Sequence, residues 1–498
     1  MIMQKRINVC PGERAAFRNL TNFCVGTGRL DLALHQEYQD QLRAVQDQCH
    51  FRYIRGHGLF SDQMGIYQES TSPEGDKRQW YCFTYLDRVM DAYLENGLRP
   101  FLELGFMPEK LASSDHTLFY WKAHTVPPRD MKAWQDLVQA TLSHLIRRYG
   151  KAEVETWPCE IWNEPNLSGF WENADKPKYL ELYRATVAAV KEILPNMRVG
   201  GPAICGGQGS QQWISDFLSF CRDERLPVDF VTRHAYMGQS PEHRGRYLYH
   251  RMNTPDALLE EMRESRNIID SFPEYKGIPL YVTEFNTSYH PFCPIHDTNE
   301  NAALCAALLS RLGDVADGYS YWTFGDVFEE QGIPTRPFHG GFGMMAGGLI
   351  PKPTLWAFAF FSQLTGDCVY RDDHAVVCRR EEGGFDAVLW NLEKEDAQIE
   401  MRLPLGDWIA MTERVDENAC NPLAAWHEMG EIADLTKEQL SFLRACGRPA
   451  AGTLPAEKTQ DGSQLSVTLR PNGLMRLRII PVKREGDAGY DYSYYCGK

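Results

Sequence analysis

Short apolar runs alternate with longer amphipathic ones from about residue 17 to residue 363. Eight of the short runs have the length and composition of buried strands: FRNLTNFCVG, FRYIRGHG, RPFLELGF, WPCEIWNE, MRVGGPAI, DFVTRHAY, PLYVTEFN and YSYWTFGD. In the segments between them, such as RDMKAWQDLVQATLSHLIRRYG, apolar residues recur at intervals of three and four, which is the helical period. Eight strands with a helix after each predict a (β/α)8 barrel, and a doubly wound open sheet is the alternative architecture.

The pattern changes after Phe361. Short alternating runs with glycine or charged residues between them, as in CVYRDDHAVVCRREEGGFDAVLW, are typical of an antiparallel β-sandwich, and DLTKEQLSFLRAC predicts one helix within it. We therefore predict three parts. Residues 1–14 contribute a strand that joins the sandwich, residues 15–365 form the barrel, and residues 366–498 form an accessory β-sandwich domain.

Composition and charge narrow the class of partner. The 498 residues carry a formal net charge of -15 and no run rich in lysine or arginine, which argues against a nucleic-acid or membrane partner. The 14 cysteines include no C-x-x-C pair, so neither a zinc site nor a disulfide framework is predicted. No apolar run of signal-peptide length opens the chain. Two of the three N-x-S/T sequons, at Asn166 and Asn286, lie where a glycan would obstruct the site proposed below, so we expect a reducing, cytoplasmic setting.

Two strand ends carry glutamates. In a (β/α)8 barrel the reactive groups lie at the C-terminal ends of the strands. Glu164 ends the fourth predicted strand in WNEPN, and Glu284 ends the seventh in LYVTEFN. Glycoside hydrolysis needs such a pair, because one carboxyl protonates the leaving oxygen while the other attacks the anomeric carbon or activates water. A single glutamate at a strand end is more often part of an ion pair, but two of them, with Asn163 beside one, favour the hydrolase.

Other polar side chains converge on the same rim. His57 ends the second strand with Arg55 on the same face, His234 and Tyr236 share one face of the sixth, and Trp322 lies in the eighth. Their convergence predicts contacts to sugar hydroxyls. No H-E-x-x-H or comparable cluster supports a metal site, so no metal is predicted. The segment GFGMMA fits G-x-G-x-x-A, but no strand–helix unit frames it, so we predict a tight loop and no cofactor.

The motifs WNEPN and TEFN resemble those of the clan of (β/α)8 glycoside hydrolases with acid/base and nucleophile at strands four and seven. The segments YIRGHGLF, VTRHAY, YWTFGDVFEE and HGGFGM narrow the resemblance to family 39, the family of β-xylosidases and α-L-iduronidases, over roughly residues 15 to 365. The resemblance implies that Glu164 is the general acid/base, that Glu284 is the nucleophile, that Asn163 binds the sugar 2-hydroxyl and that Tyr236 hydrogen-bonds the nucleophile. The residues implied to line the subsite for the terminal sugar are His57, Phe170, His234, Tyr289, Trp322 and Glu330.

Two features depart from the family pattern or leave a choice open. Glu329 is adjacent to Glu330, so the resemblance alone does not decide which of them contacts the sugar. The stretch TLFYWKAHTVPP carries Tyr120, Trp121 and His124 where the family has a different aromatic pattern. That departure bears on the preference for the aglycone and leaves the chemistry unaffected.

Together, the residues and the resemblance predict a retaining, exo-acting β-D-xylosidase that acts on an oligosaccharide or glycoside. The alternatives are a clan relative such as an α-L-iduronidase, α-L-arabinosidase or β-glucosidase, a catalytically idle sugar-binding barrel, and a metal-dependent barrel enzyme. We rank xylose above iduronate because a uronic acid needs a cation for its carboxylate. Most residues predicted at the rim are neutral or acidic, and Lys122 is the one basic residue near the aromatic stretch. Since family 39 enzymes often form tetramers, the resemblance also implies a homo-oligomer.

Overall fold

The computed structural model describes residues 3–10, 12–483 and 485–496. Its larger part is the predicted (β/α)8 barrel, in which all neighbouring strands are parallel. The third strand is divided: Arg99–Pro100 pairs with the second strand, Tyr53–His57, and Leu102–Leu104 pairs with the fourth, Cys159–Ile161, which closes the ring. The remaining strands are Val199–Ile204, Phe230–Tyr236, Leu280–Asn286, Gly318–Tyr321 and, as the first strand, Cys24–Arg29.

Helices surround the barrel and bury one face against it. Met131–Tyr149 is typical: Asp130 caps its N-terminus by accepting hydrogen bonds from two backbone amides, and Gly150 follows its last turn. The other helices of this part are Gln36–Cys49, Thr84–Glu95, Lys151–Val154, Lys176–Ile193, Ser210–Asp223, Pro255–Ser271, Asn299–Leu309 and Pro353–Ser362. After its polar first turn, Asn299–Leu309 is apolar and buried on every side, since it packs against both Pro353–Ser362 and strands of the second domain.

Short elements decorate the loops of the barrel. The 3-10 helices are Leu30–Leu34, Glu109–Leu111, Glu172–Ala174, Pro294–Asp297 and Leu312–Asp314. The paired short strands are Tyr67–Thr71 with Lys77–Tyr81, Thr117–Leu118 with Ala123–His124, Gly238–Arg244 with Tyr247–Met252, and Met345–Ala346 with Ile350–Pro351.

Two sheets form the second domain, and an apolar core lies between them. One sheet contains, in order, Met3–Asn8, Ala397–Leu403, Gly462–Leu469 and Glu457–Thr459, and its first pair is parallel. The other contains, in order, Asp367–Arg371, Ala375–Arg379, Phe385–Trp390, Leu474–Pro481, Trp408–Val415 and Ala450–Pro455.

In the part of the chain that the structure describes, three helices belong to this second part: Pro422–Glu428, Lys437–Cys446 and Ser493–Cys496. The first two pack against a barrel loop, where the Trp426 ring lies 5.5 Å from the ring of Phe338. The parallel barrel and the two packed sheets of the second domain confirm the predicted fold class. None of the helices in the described residues is long and apolar enough to cross a membrane.

Candidate active site

Glu164 lies just beyond the fourth strand, in a turn of unusual backbone geometry. Trp162 and Glu164 have φ angles of 70° and 44°, in the left-handed region, which costs on the order of 1–3 kcal/mol for a residue with a side chain. The amide of Glu164 donates to the carbonyl of Ala203 at 2.9 Å, and the indole of Trp162 donates to the carbonyl of Phe170 at 2.8 Å. These contacts hold the turn and direct the carboxyl of Glu164 into the barrel mouth.

The carboxyls of Glu164 and Glu284 face each other at this mouth, and each residue is about 95% buried, with 5% and 4% exposure. One oxygen of each lies within 4.8 Å of the other. His234 stands between them, with Nδ1 at 2.7 Å from Glu164 Oε1 and 3.5 Å from Glu284 Oε2. The hydroxyl of Tyr236 donates to Glu284 Oε2 at 2.6 Å. The two predicted carboxyls thus lie close together and buried, and each has its own hydrogen-bond partner, His234 for Glu164 and Tyr236 for Glu284.

Arg55 organises the floor of the site. Its guanidinium donates to Glu284 Oε1 at 2.8 Å, to Glu160 Oε2 at 2.6 Å and to Asn163 Oδ1 at 2.8 Å, and it lies 3.0 Å from Glu103 Oε2. Because the carbonyl oxygen of Asn163 accepts from Arg55, its amide nitrogen points the other way. That nitrogen is buried and has no partner within the described protein, so it is available as a donor to a ligand.

Burial and neighbouring charges shift the proton affinities of the site. Burial, followed by the charge of Glu284, raises the pKa of Glu164 well above its usual range. Burial raises the pKa of Glu330 well above its usual range, and the neighbouring carboxyls of Glu284 and Glu164 raise it further. Burial, reinforced by the positive charge of Arg55, lowers the pKa of His234 well below its usual range. A protonated Glu164 beside a neutral His234 is the arrangement that a general acid needs.

The sugar-binding residues predicted from the sequence lie around the same mouth. The His57 ring is 4.7 Å from the Trp322 ring and 6.3 Å from the Phe170 ring. Its Nε2 lies 3.7 Å from Glu284 Oε1 and 3.9 Å from Glu330 Oε1. Polar and aromatic groups therefore face one small volume, which is the usual composition of a site for a small polar ligand.

Glu330 and Tyr289 lie at different depths relative to this volume. Glu330 faces it, whereas the adjacent Glu329 forms an ion pair with Arg29. Tyr289 is 47% exposed, and its ring meets the ring of Tyr236 edge-on at 6.4 Å, so it lies at the outer rim. The structure thus distinguishes Glu330 from Glu329, which the sequence alone left open.

Among the described residues, two groups of side chains place three possible metal-ligand atoms within 4.8 Å of one another: Glu164, His234 and Glu284 in the site, and Asp62, Glu109 and His124 outside it. In the first group Nδ1 of His234 is already hydrogen-bonded to Glu164, Glu284 accepts a hydrogen bond from Tyr236, and the guanidinium of Arg55 supplies the positive charge. In the second group both carboxylates are exposed, as is common without an ion.

Sequence reasoning missed Glu103 and Glu160, which are 2% and 0% exposed and contact Arg55. The signal that could have found them is a charged residue inside an apolar strand run, in LELGF and CEIW.

A (β/α)8 barrel with a buried glutamate pair from its fourth and seventh strands defines a glycoside hydrolase. The model of "Glycosyl hydrolases family 39" matches residues 7–463. A β-xylosidase from Geobacillus stearothermophilus is 44% identical over 491 residues, which cover 97% of this chain and 96% of that relative. The chain belongs to family 39 of the glycosyl hydrolases, as its motifs predicted.

Further relatives agree with this assignment. A β-xylosidase from Caldicellulosiruptor saccharolyticus is 33% identical over 434 residues, covering 84% of this chain and 86% of the relative. The crystal structure of a monomeric β-xylosidase from Caulobacter crescentus CB15 superposes with a TM-score of 0.87 at 32% identity, covering 96% of this chain and 100% of that one.

Proposed function

We propose that this enzyme is a retaining, exo-acting β-D-xylosidase that releases xylose from the non-reducing ends of xylo-oligosaccharides. The observation that carries the proposal is the approach of Glu164 and Glu284 to within 4.8 Å. Retaining glycosidases hold their two carboxyls about 5–5.5 Å apart, whereas inverting enzymes separate them by about 6.5–9.5 Å to admit a water molecule. The short separation supports direct attack by one carboxylate on the sugar.

The reaction then has two steps. Glu164, protonated because its pKa is raised, donates its proton to the leaving oxygen while Glu284 attacks the anomeric carbon and forms a covalent xylosyl-enzyme. Esterification removes the negative charge of Glu284, which is one cause of the raised pKa of Glu164. Glu164 therefore becomes a better carboxylate at the moment when it must take a proton from water. That water attacks the anomeric carbon and frees Glu284.

The remaining side chains bind the terminal sugar. The free amide nitrogen of Asn163 donates to the 2-hydroxyl, and the unpartnered Nε2 of His234 is available to a neighbouring hydroxyl. Tyr236 hydrogen-bonds the nucleophile. The other residues of this subsite are His57, Phe170, Trp322 and Glu330, with Tyr289 at its outer edge.

Charge favours xylose over a uronic acid. The guanidinium of Arg55 is already engaged by Glu284 and other carboxylates, and Arg29 is paired with Asp31 and Glu329. A uronate carboxylate would have to compete with these ion pairs for a cation. The named activity of the bacterial relatives, β-xylosidase, supports the same ranking.

A cytoplasmic setting is part of the proposal. The cysteines from Cys10 to Cys446 are free thiols, which suits a reducing compartment. The homo-oligomer implied by the family stays a prediction, and the Caulobacter crescentus relative is described as monomeric.

The test is a panel of aryl glycosides of β-D-xylose, α-L-arabinose, β-D-glucose, β-D-galactose and α-L-iduronate, incubated with purified protein. We expect the xyloside to give the highest kcat/KM and NMR to detect β-xylose as the first product. The Glu284→Ala variant, purified identically, controls for contaminating glycosidases. Faster cleavage of the iduronide, or α-xylose as first product, would contradict the proposal. If none of these glycosides is hydrolysed, the result favours a sugar-binding barrel without catalytic activity.

A further inference from the structure

Glu103 is a buried carboxylate with no role in the reaction as described above. It belongs to the third barrel strand and is 2% exposed. A single oxygen, Oε2, lies 2.8 Å from His57 Nδ1 and 3.0 Å from the guanidinium of Arg55. Its other oxygen is buried without a hydrogen-bond partner among the described residues. The contacts of this carboxylate are therefore those that Oε2 makes to His57 and to Arg55.

The contact with Glu103 determines which nitrogen of His57 carries the proton. A carboxylate only accepts hydrogen bonds, so Nδ1 of His57 is the protonated nitrogen. Nε2 of a neutral imidazole is then an acceptor. It is directed toward the volume where the terminal sugar binds, at 3.7 Å from Glu284 Oε1 and 3.9 Å from Glu330 Oε1. The adjacent Trp322 ring restrains the imidazole from the side.

Glu103 is not needed as a counter-ion for Arg55. Glu160 accepts from the same guanidinium at 2.6 Å, and Glu284 accepts at 2.8 Å. Glu160 also accepts a hydrogen bond from Thr283 at 3.0 Å, and it has no contact with His57 among its hydrogen bonds. The contact that distinguishes Glu103 from Glu160 is therefore the one to His57.

We propose that Glu103 is a positioning residue that fixes His57 in the tautomer whose Nε2 accepts a hydrogen bond from a hydroxyl of the terminal sugar. The inference rests on the proposed function, since it assigns a partner to a residue of the sugar subsite. It makes His57 selective: a sugar hydroxyl can donate to Nε2, whereas an ether or a deoxy position cannot. The logic is that of a catalytic triad, in which a buried carboxylate holds a histidine tautomer through Nδ1.

Three variants separate this role from a structural one. Glu103→Leu removes the acceptor for Nδ1. Glu103→Gln keeps an amide oxygen that can accept from both His57 and Arg55, and it can place its nitrogen where the unpartnered oxygen lies. Glu160→Gln is the matched control, because it neutralises a carboxylate on the same arginine without touching His57.

We expect Glu103→Leu to weaken xylose binding, measured by isothermal titration calorimetry, by about 10- to 100-fold, by analogy with the loss when the partner that orients a metal-ligating histidine is removed. For an aryl xyloside KM should rise more than kcat falls. Glu103→Gln should recover most of the loss, and Glu160→Gln should act on kcat, through Arg55 and Glu284, more than on xylose affinity. Unchanged xylose affinity in folded Glu103→Leu, or an equal loss in Glu160→Gln, would overturn the proposal.

A second measurement does not depend on the stability of any Glu103 variant. In wild-type protein labelled with 15N-histidine, NMR identifies the protonated nitrogen of His57, and the spectrum of His57→Gln assigns the signal. We expect a proton on Nδ1 and none on Nε2; a proton on Nε2, whether alone or together with one on Nδ1, would overturn the inference. If the wild-type enzyme prefers another sugar, the proposed function fails, and the same binding comparison with that sugar still decides the role of Glu103.

Discussion

The hydroxyl of Tyr236 is the group through which the surroundings of Glu284, the proposed nucleophile, can be perturbed most cleanly. It donates to Glu284 Oε2 at 2.6 Å, while Arg55 holds Oε1 at 2.8 Å. Tyr236→Phe removes this one hydrogen bond, keeps the ring and lets the carboxylate turn away from the orientation in which it attacks. A hydrogen bond to a charged group contributes about 1.5–3 kcal/mol. Since about 1.4 kcal/mol corresponds to a tenfold change in rate, kcat/KM should fall about 10- to 150-fold.

The assay for this substitution is initial-rate hydrolysis of an aryl xyloside, with thermal unfolding followed in parallel. Tyr183→Phe is a matched control: this tyrosine is buried, and its hydroxyl donates to the carbonyl of Pro227 at 2.9 Å instead of to either glutamate of the site. The control should lose about 1 kcal/mol of stability and keep its activity. If kcat/KM of Tyr236→Phe stays within about twofold of the wild-type value, the reasoning is refuted, because losing a hydrogen bond of the stated strength should lower kcat/KM by about tenfold or more.

Three further predictions concern pH, stability and metals. Because burial and the charge of Glu284 raise the pKa of Glu164, kcat/KM should fall as the pH rises through that pKa; the pH profile of Glu164→Gln should lack this alkaline limb. Lys352→Met leaves Asp297 and Asp326 buried without their cation, so urea denaturation should show a loss of about 3–5 kcal/mol, and an unchanged midpoint would contradict this. Dialysis against EDTA should leave xyloside hydrolysis unchanged, whereas activity that is lost and then restored by a divalent cation would favour a metal-dependent enzyme.

The barrel and its two carboxylates could be predicted from the sequence because both depend on local patterns. Buried parallel strands are short, continuous apolar runs, and the reactive groups of such a barrel lie where those runs end. Glu164 and Glu284 occupy two such ends. The hairpin Gly238–Met252 did not follow from the sequence, since its strands are largely exposed and lack the alternation that a half-buried strand shows.

The buried carboxylates that hold Arg55 in place beneath the site could not be predicted from local patterns. Glu103 and Glu160 lie inside strands, and the contacts that pair them with Arg55 join residues far apart in the chain. Strand periodicity assigns a face to such residues but no partner. The choice between Glu329 and Glu330 was open because the loop that carries them has no period, and contacts between distant residues distinguish them: Glu329 pairs with Arg29, whereas Glu330 faces His57.

If Glu164 is the acid/base and Glu284 the nucleophile, as proposed, the products formed with azide differ in a way that exchanged roles could not reproduce. In Glu164→Ala, an aryl xyloside with a good leaving group still forms the xylosyl-enzyme, and azide, which needs no base, attacks it from the face that the leaving group left. NMR should therefore identify β-xylosyl azide from Glu164→Ala. If Glu164→Ala instead gives α-xylosyl azide, the roles of the two glutamates are exchanged, and if it loses no activity the site is misplaced.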